Sequence, residues 1–279
     1  MWKVERPTIT AESAFSTSIS RIKDPDLKER MEAIADTIED AAANYVLEAE
    51  DASLCNIAMS TGVDGKVTTK EMKELYDGRM AHPKGPARPL YNEILAAAEH
   101  GRCPLCGHRA ASTLDHILSK ARYPAFAVTP VNLVPACSDC NKTKGDTPFT
   151  EEEDQYLHPY FDNVEADLWL RAEVIHSSPP AIHFFVDAPD HWPEVLAQRV
   201  RNHFRRLGLA KLYASQAAQE LVNIRHQVSS LHARAGAEAV RKLLEESHTS
   251  RSRARINSWQ TAFYAALEAS EWFCDGGFS

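Results

Sequence analysis

Apolar residues recur at helical spacing along most of the chain, so the few places where that spacing fails stand out. In DPDLKERMEAIADTIEDAAANYVLEAED, residues 24–51, Leu27, Met31, Ile34, Ile38, Ala42 and Tyr45 fall on one face, with Asp24 placed to cap and Pro25 in the first turn. This predicts one long acidic amphipathic helix. Thr68 and Glu71 form a T-x-x-E capping box ahead of KEMKELYDGRM, so a second helix is predicted to start near residue 69. HPKGPARP breaks that helix, and LYNEILAAAEHG follows with Leu90, Ile94, Leu95 and Ala98 on one face and Gly101 as its C-terminal stop.

Between residues 103 and 147 short apolar runs and loop residues replace the helical pattern, with a helix expected to begin near Cys137. AEVIH and IHFFVD then flank SSPP, which predicts two strands joined by a turn. From Pro193 the pattern is helical almost to the end, through PEVLAQRVRNHFRRLGL, KLYASQAAQELVNIRHQVSSLHARAG, AEAVRKLLEES and SWQTAFYAALEASEWF. The chain therefore reads as mainly α with a small α+β centre: a helical region over 1–100, a central domain over 101–160, and a hairpin plus helical region over 161–279.

With 44% hydrophobic and 25% charged residues among 279, the composition is that of an ordinary globular protein. MWKVERPTIT has no long apolar run, and no stretch approaches the roughly 20 apolar residues of a membrane span. A soluble cytoplasmic protein with no membrane partner is expected. The net charge of −8 argues against nucleic acid until it is divided along the chain. Residues 195–257 carry 12 Lys/Arg against 4 Asp/Glu, whereas residues 24–51 carry 10 Asp/Glu against 2 Lys/Arg.

Four of the six cysteines form two C-x-x-C pairs, Cys103/Cys106 and Cys137/Cys140, while Cys55 and Cys274 stand alone. In a chain with no secretory signal this favours metal over disulfide, and four thiolates suit one tetrahedral structural Zn²⁺ with no open position. The 30 residues between the pairs exceed the roughly 15–20 of a simple zinc ribbon. Within them lies Asp115-His116. Neighbouring side chains on a strand point to opposite faces, so the pair needs a bend to serve one site. Taken alone, it reads as a strand-end Asp and His making hydrogen bonds.

CPLC, then LDHILSK, then VNLVPACSDCNKTKGD together resemble the zinc-stapled branch of the HNH endonucleases, whose active unit is a ββα-metal finger. The resemblance spans about 45 residues. It implies a finger flanked by helical regions, with His116 as general base, Asp115 as a ligand of a catalytic Mg²⁺ or Mn²⁺, and Asn132 holding the loop behind His116. Asn141 stands where the family also uses His, making an H-N-N variant in which its amide oxygen would reach the metal. Oxygen ligands of this kind suit Mg²⁺, which keeps several waters. With a helix from residue 137, Asn141 and Lys144 share a face, so Lys144 is the expected phosphate contact, with Lys120 and Arg122 behind it. Asp146 is placed to cap or to pair with a nearby base.

The implied activity is phosphodiester hydrolysis in nucleic acid, with DNA as the expected substrate; the rival is a non-catalytic zinc module that binds nucleic acid or protein. Large helical flanks also resemble those of antiphage effector nucleases that work beside an ATPase, with the acidic helix as a docking face for that partner. Weaker signals remain. STGVDGKVTTKE matches a calcium loop only in part and reads better as a D-G turn into a capped helix. His176 and His183 flank the SSPP turn without a third ligand. Arg199, Arg201, Arg205, Arg206, Arg251, Arg253 and Arg255 read equally as a duplex groove or as solvated or paired helix faces.

Overall fold

The computed structural model describes residues 1–278. They divide into two compact units, residues 1–163 and 164–278. The first unit holds helices α1 (Ala11–Ile19), α2 (Pro25–Glu32), α3 (Ala35–Glu50), α4 (Thr69–Leu75), α5 (Arg88–Ala96) and α6 (Ser138–Lys144), with two short antiparallel ribbons, β1/β2 (Gly62–Val63, Val67–Thr68) and β3/β4 (Thr113–His116, Leu133–Ala136).

Residues 24–51 form two helices rather than one. Asp24 caps α2 through the N–H groups of Asp26 and Leu27, and Pro25 opens it. The helical φ/ψ pattern then fails at Ile34 (φ −113°, ψ 6°). Lys66 takes up the Ala33 carbonyl at this break, its Nζ donating at 3.0 Å, and Arg30 of α2 holds Lys66 in turn, Nη1 donating to Lys66 O at 2.9 Å. Ile34 itself is fully buried, in register with Met31 and Ile38. The periodicity is thus satisfied on both sides of a turn that only a tertiary contact reveals.

Other local signals hold. Asp64 and Gly65 both take positive φ (52° and 66°), the conformation of a type I′ turn, and join β1 to β2. Thr68 and Glu71 make the reciprocal capping box of α4, which runs on into a wider π-helical turn at Tyr76–Met80. Helix α5 ends at Ala96, five residues before Gly101, which instead closes a short 3₁₀ turn at φ +65°.

One hydrophobic cluster joins Phe15, Met31, Ile38, Met72, Tyr76, Tyr91 and Ile94 from the helices to Leu114, Ala127, Val128 and Leu133 from the central stretch. The regions 1–100 and 101–160 therefore share a core. A finger of some 45 residues is too small to bury enough surface alone, and the helices supply the missing apolar face.

In the second unit β5 (Leu170–Ile175) pairs antiparallel with β6 (Ala181–Val186), and the ribbon lies against α8 (Leu209–Ala254) and α9 (Trp259–Ala269), with α7 (Glu194–Arg206) beside α8. Gly236 (φ 78°, ψ −177°) interrupts α8 at the point where the sequence pattern separates two helices. His183 lies opposite Glu173, 2.9 Å from its carboxylate, and His176 stacks on Trp272, so the two histidines do not meet.

Most of the arginines considered for a duplex groove are used within this unit. Arg199 is buried, Arg201 pairs with Glu194 at 3.1 Å, Arg205 bonds Asn202, Arg251 lies over the Tyr264 ring, and Arg255 pairs with Glu165. Among the described residues, no helix is long and apolar enough to cross a membrane.

Candidate active site and zinc clip

The sequence dictates the clip first. Gly107 at φ +61° lets the chain turn back after CPLC, and its N–H donates to Cys103 O at 2.8 Å. Cys137 is the N-cap of α6, its Sγ accepting from Cys140 N at 3.3 Å. Cys103, Cys106, Cys137 and Cys140 are all buried, form no disulfide, and bring their sulfurs within 4.8 Å of one another. Four buried thiols this close need a cation to offset their charge when ionised. Zn²⁺ fits a set of four sulfurs. Arg109 and Asp139, paired at 2.8 Å, bind the first knuckle to the helix grown from the second. Trp2 covers the outside of the clip: its N–H donates to Pro104 O at 2.8 Å, and its indole packs on Gly107.

Helix α6 lies against β3, and beside them opens a pocket of about 400 Å³. Asp115, His116 and Asn141 all line it. The adjacent Asp and His serve one space because β3 ends at His116 and the pocket wraps that end. Behind the strand end, Asn132 is wholly buried. Its Oδ1 accepts from Leu118 N at 2.8 Å, and its Nδ2 donates to Leu118 O (3.0 Å) and Phe126 O (3.1 Å), closing the loop.

His116 Nε2 lies 2.8 Å from Ala127 O. A carbonyl can only accept, so this nitrogen carries the proton and Nδ1 is the basic one. Burial, then the charges of Lys120 and Lys144, lower the ring's pKa to about 3, which keeps it neutral. Asp115 is buried, and desolvation pushes its pKa up to about 6 against the opposing pull of Lys144. Its Oδ2 has no hydrogen-bond partner. A buried carboxylate oxygen left unpaired, beside a carboxamide that also lines the pocket, fits a hard divalent cation such as Mg²⁺.

The expected phosphate contacts separate. Lys144 is not one as placed: its side chain is only 4% exposed, and its ammonium is bound to His116 O at 2.5 Å and Ile117 O at 3.3 Å, 3.5 Å from Asp115 Oδ1. Helical spacing does put it near Asn141, but the α6/β3 contact turns it inward to carbonyls that need donors. Lys120 lines the pocket, paired with Asp77 at 2.6 Å and lying 4.1 Å over the Tyr76 ring. Arg122 is exposed outside the pocket, and Asp146 accepts from the Ser119 hydroxyl at 3.1 Å rather than from a base.

Sequence reasoning missed the opposite wall. Tyr76, Asp77 and Tyr91 come from the helical region and line the same pocket. Tyr91 Oη accepts from Leu114 N at 3.2 Å, covering the outer edge of β3, and Tyr76 packs against His116. Their one sequence signal is a tyrosine on a buried helix face, an apolar body whose polar tip must find a partner.

Residues 103–147 match the family described as HNH endonuclease. The chain is 34% identical to Protein ea31 of Escherichia phage lambda over 175 residues, which is 61% of this chain and 59% of that relative. No solved structure matches. The central segment therefore carries an HNH domain, and its four clustered cysteines are consistent with a zinc-stapled finger.

Proposed function

We propose that the HNH domain at residues 103–147 hydrolyses phosphodiester bonds in nucleic acid with the help of a divalent metal, DNA being the expected substrate. One observation carries this reading: Asp115, His116 and Asn141, drawn from a strand end and a helix, line a single pocket. Asp115 Oδ2 and the Asn141 amide oxygen would hold Mg²⁺ or Mn²⁺. Such a cation, when bound, neutralises charge building on the phosphate and the leaving oxygen.

The protein's own groups do the rest. His116, kept neutral and hydrogen-bonded to Ala127 O through Nε2, takes the proton of the attacking water at Nδ1. A phosphodiester anion beside the ring offsets the nearby lysine charges and raises its basicity. Lys120 reaches the phosphate, and Asn132 keeps the His116 loop from moving.

Incubating the purified chain with supercoiled plasmid, and separately with single-stranded DNA and RNA, in Mg²⁺, Mn²⁺ or EDTA tests the reading. Metal-dependent cleavage is expected, and His116→Ala lowers its rate by about 10²- to 10⁴-fold with zinc content intact. Binding without cleavage in every metal supports the non-catalytic zinc module instead.

The biological setting is a finer proposal. Exposed Glu29, Asp36 and Glu39 on α2 and α3 form a docking face suited to a protein partner such as an ATPase of an antiphage system. The relative above belongs to a phage, so a phage-borne role competes directly. Neighbouring genes discriminate: an ATPase supports the first and phage genes the second.

A further inference from the structure

We propose that Lys144 is a positioning residue, which ties the last turn of α6 to the end of β3 and selects the oxygen of Asp115 that is left for an outside ligand. Its catalytic meaning rests on the nuclease reading above; its structural role does not.

A buried ammonium is costly unless each of its protons finds an acceptor. Lys144 has three protons and three acceptors within reach: His116 O at 2.5 Å, Ile117 O at 3.3 Å and Asp115 Oδ1 at 3.5 Å. The two carbonyls belong to the turn by which the chain leaves β3, where Asp115 and His116 come to share one pocket. The carboxylate oxygen is held on one side only. Oδ1 is engaged while Oδ2 stays unpaired, so the lysine leaves one donor atom rather than two for a cation.

Lys144 is also the last residue of the helix that Cys137 begins. A single side chain therefore connects the zinc clip, through one short helix, to the two groups proposed to do the chemistry. Asn141, Gly145 and Asp146 line the pocket on either side of it in sequence, and Lys144 does not. That placement separates positioning from phosphate binding.

Lys144→Met in the full chain tests the role against the phosphate-contact alternative. Affinity for a DNA duplex in EDTA is expected within twofold of wild type, with an unchanged salt dependence. With Mg²⁺, kcat falls at least tenfold at similar KM, and hydrogen exchange quickens at the Ile117 and Leu118 amides. Weakened binding with a shallower salt slope and unchanged kcat would overturn the proposal, as would wild-type exchange at those amides.

Brief acetylation of wild-type amines gives an arm that does not depend on the variant folding. Exposed Lys142 is expected to label and Lys144 to stay protected; equal labelling would overturn the proposal. If wild type cleaves nothing under any condition, the nuclease reading fails, while exchange and labelling still decide the place of Lys144.

Discussion

The ring of Tyr76 stands edge-on to that of His116, centroids 4.4 Å apart and planes at 70°. The proposed base of the HNH segment is therefore walled by a residue outside residues 103–147. Tyr76→Ala should open that wall, release Lys120 from its aromatic seat, and cost about 3–5 kcal/mol in a denaturant melt, as large aromatic truncations in cores do. Tyr76→Phe should stay within about 1 kcal/mol of wild type and keep its activity, because the hydroxyl makes one long bond, 3.4 Å to Leu114 O. A Phe variant as damaged as the Ala variant would shift the weight from the ring to the hydroxyl.

Lys120 is held by Asp77 at 2.6 Å, a pairing that the proposed phosphate contact would have to displace. Asp77→Asn should tighten binding of a DNA duplex measured in EDTA, and Lys120→Ala should weaken it and reduce the salt slope by about 1. Tighter binding in both variants would remove Lys120 from the substrate path.

Zinc removal should unfold the finger. Apparent binding energies of structural zinc, about 10–16 kcal/mol in small fingers, match or exceed the net stability of about 5–15 kcal/mol typical of a domain. Trp2, packed on Gly107 of the first knuckle, supplies a reporter. A chelator should shift tryptophan emission in wild type, and the shift should shrink in Trp2→Phe. Gly107→Ala should weaken the clip as well, since φ is +61° and an added Cβ would stand 2.6 Å from the Trp2 indole nitrogen.

Glu71 joins the capping box of α4 to Arg30, 2.8 Å away, and the hydrogen bond from Arg30 leads in lowering its pKa to about 2. A carboxylate depressed in the folded state stabilises fully above its unfolded pKa of about 4.3, and that contribution is lost as pH falls towards 2. Glu71→Gln should therefore lower Tm at pH 7, and the gap to wild type should narrow steadily between about pH 4 and 2. A gap that is constant with pH would show that the charge is not what Glu71 contributes.

Features written into a few neighbouring residues were legible in the sequence: the C-x-x-C pairs, the T-x-x-E box, the D-G turn and the helix beginning at Cys137. What escaped depends on residues distant in sequence. The turn at Ile34 is stabilised by Lys66 and Arg30, which no helical periodicity registers. Lys144 reads as a phosphate contact on the face of Asn141 until β3 presents two carbonyls to it. Asp115, His116 and Asn141 could be named from the motif, but the wall facing them, Tyr76 and Tyr91, lies in helices read as a separate region, where neither tyrosine is marked.

Cys137 is at once a sulfur of the clip and the cap that starts α6. A zinc ion taken up by that sulfur would thus couple metal loading to the start of the helix that carries Asn141. A newly made chain would carry every residue of the pocket without the pocket itself. With zinc bound as proposed, its supply would set the moment at which the proposed nuclease could act, a delay written into the covalent order of four residues, Cys137 to Cys140.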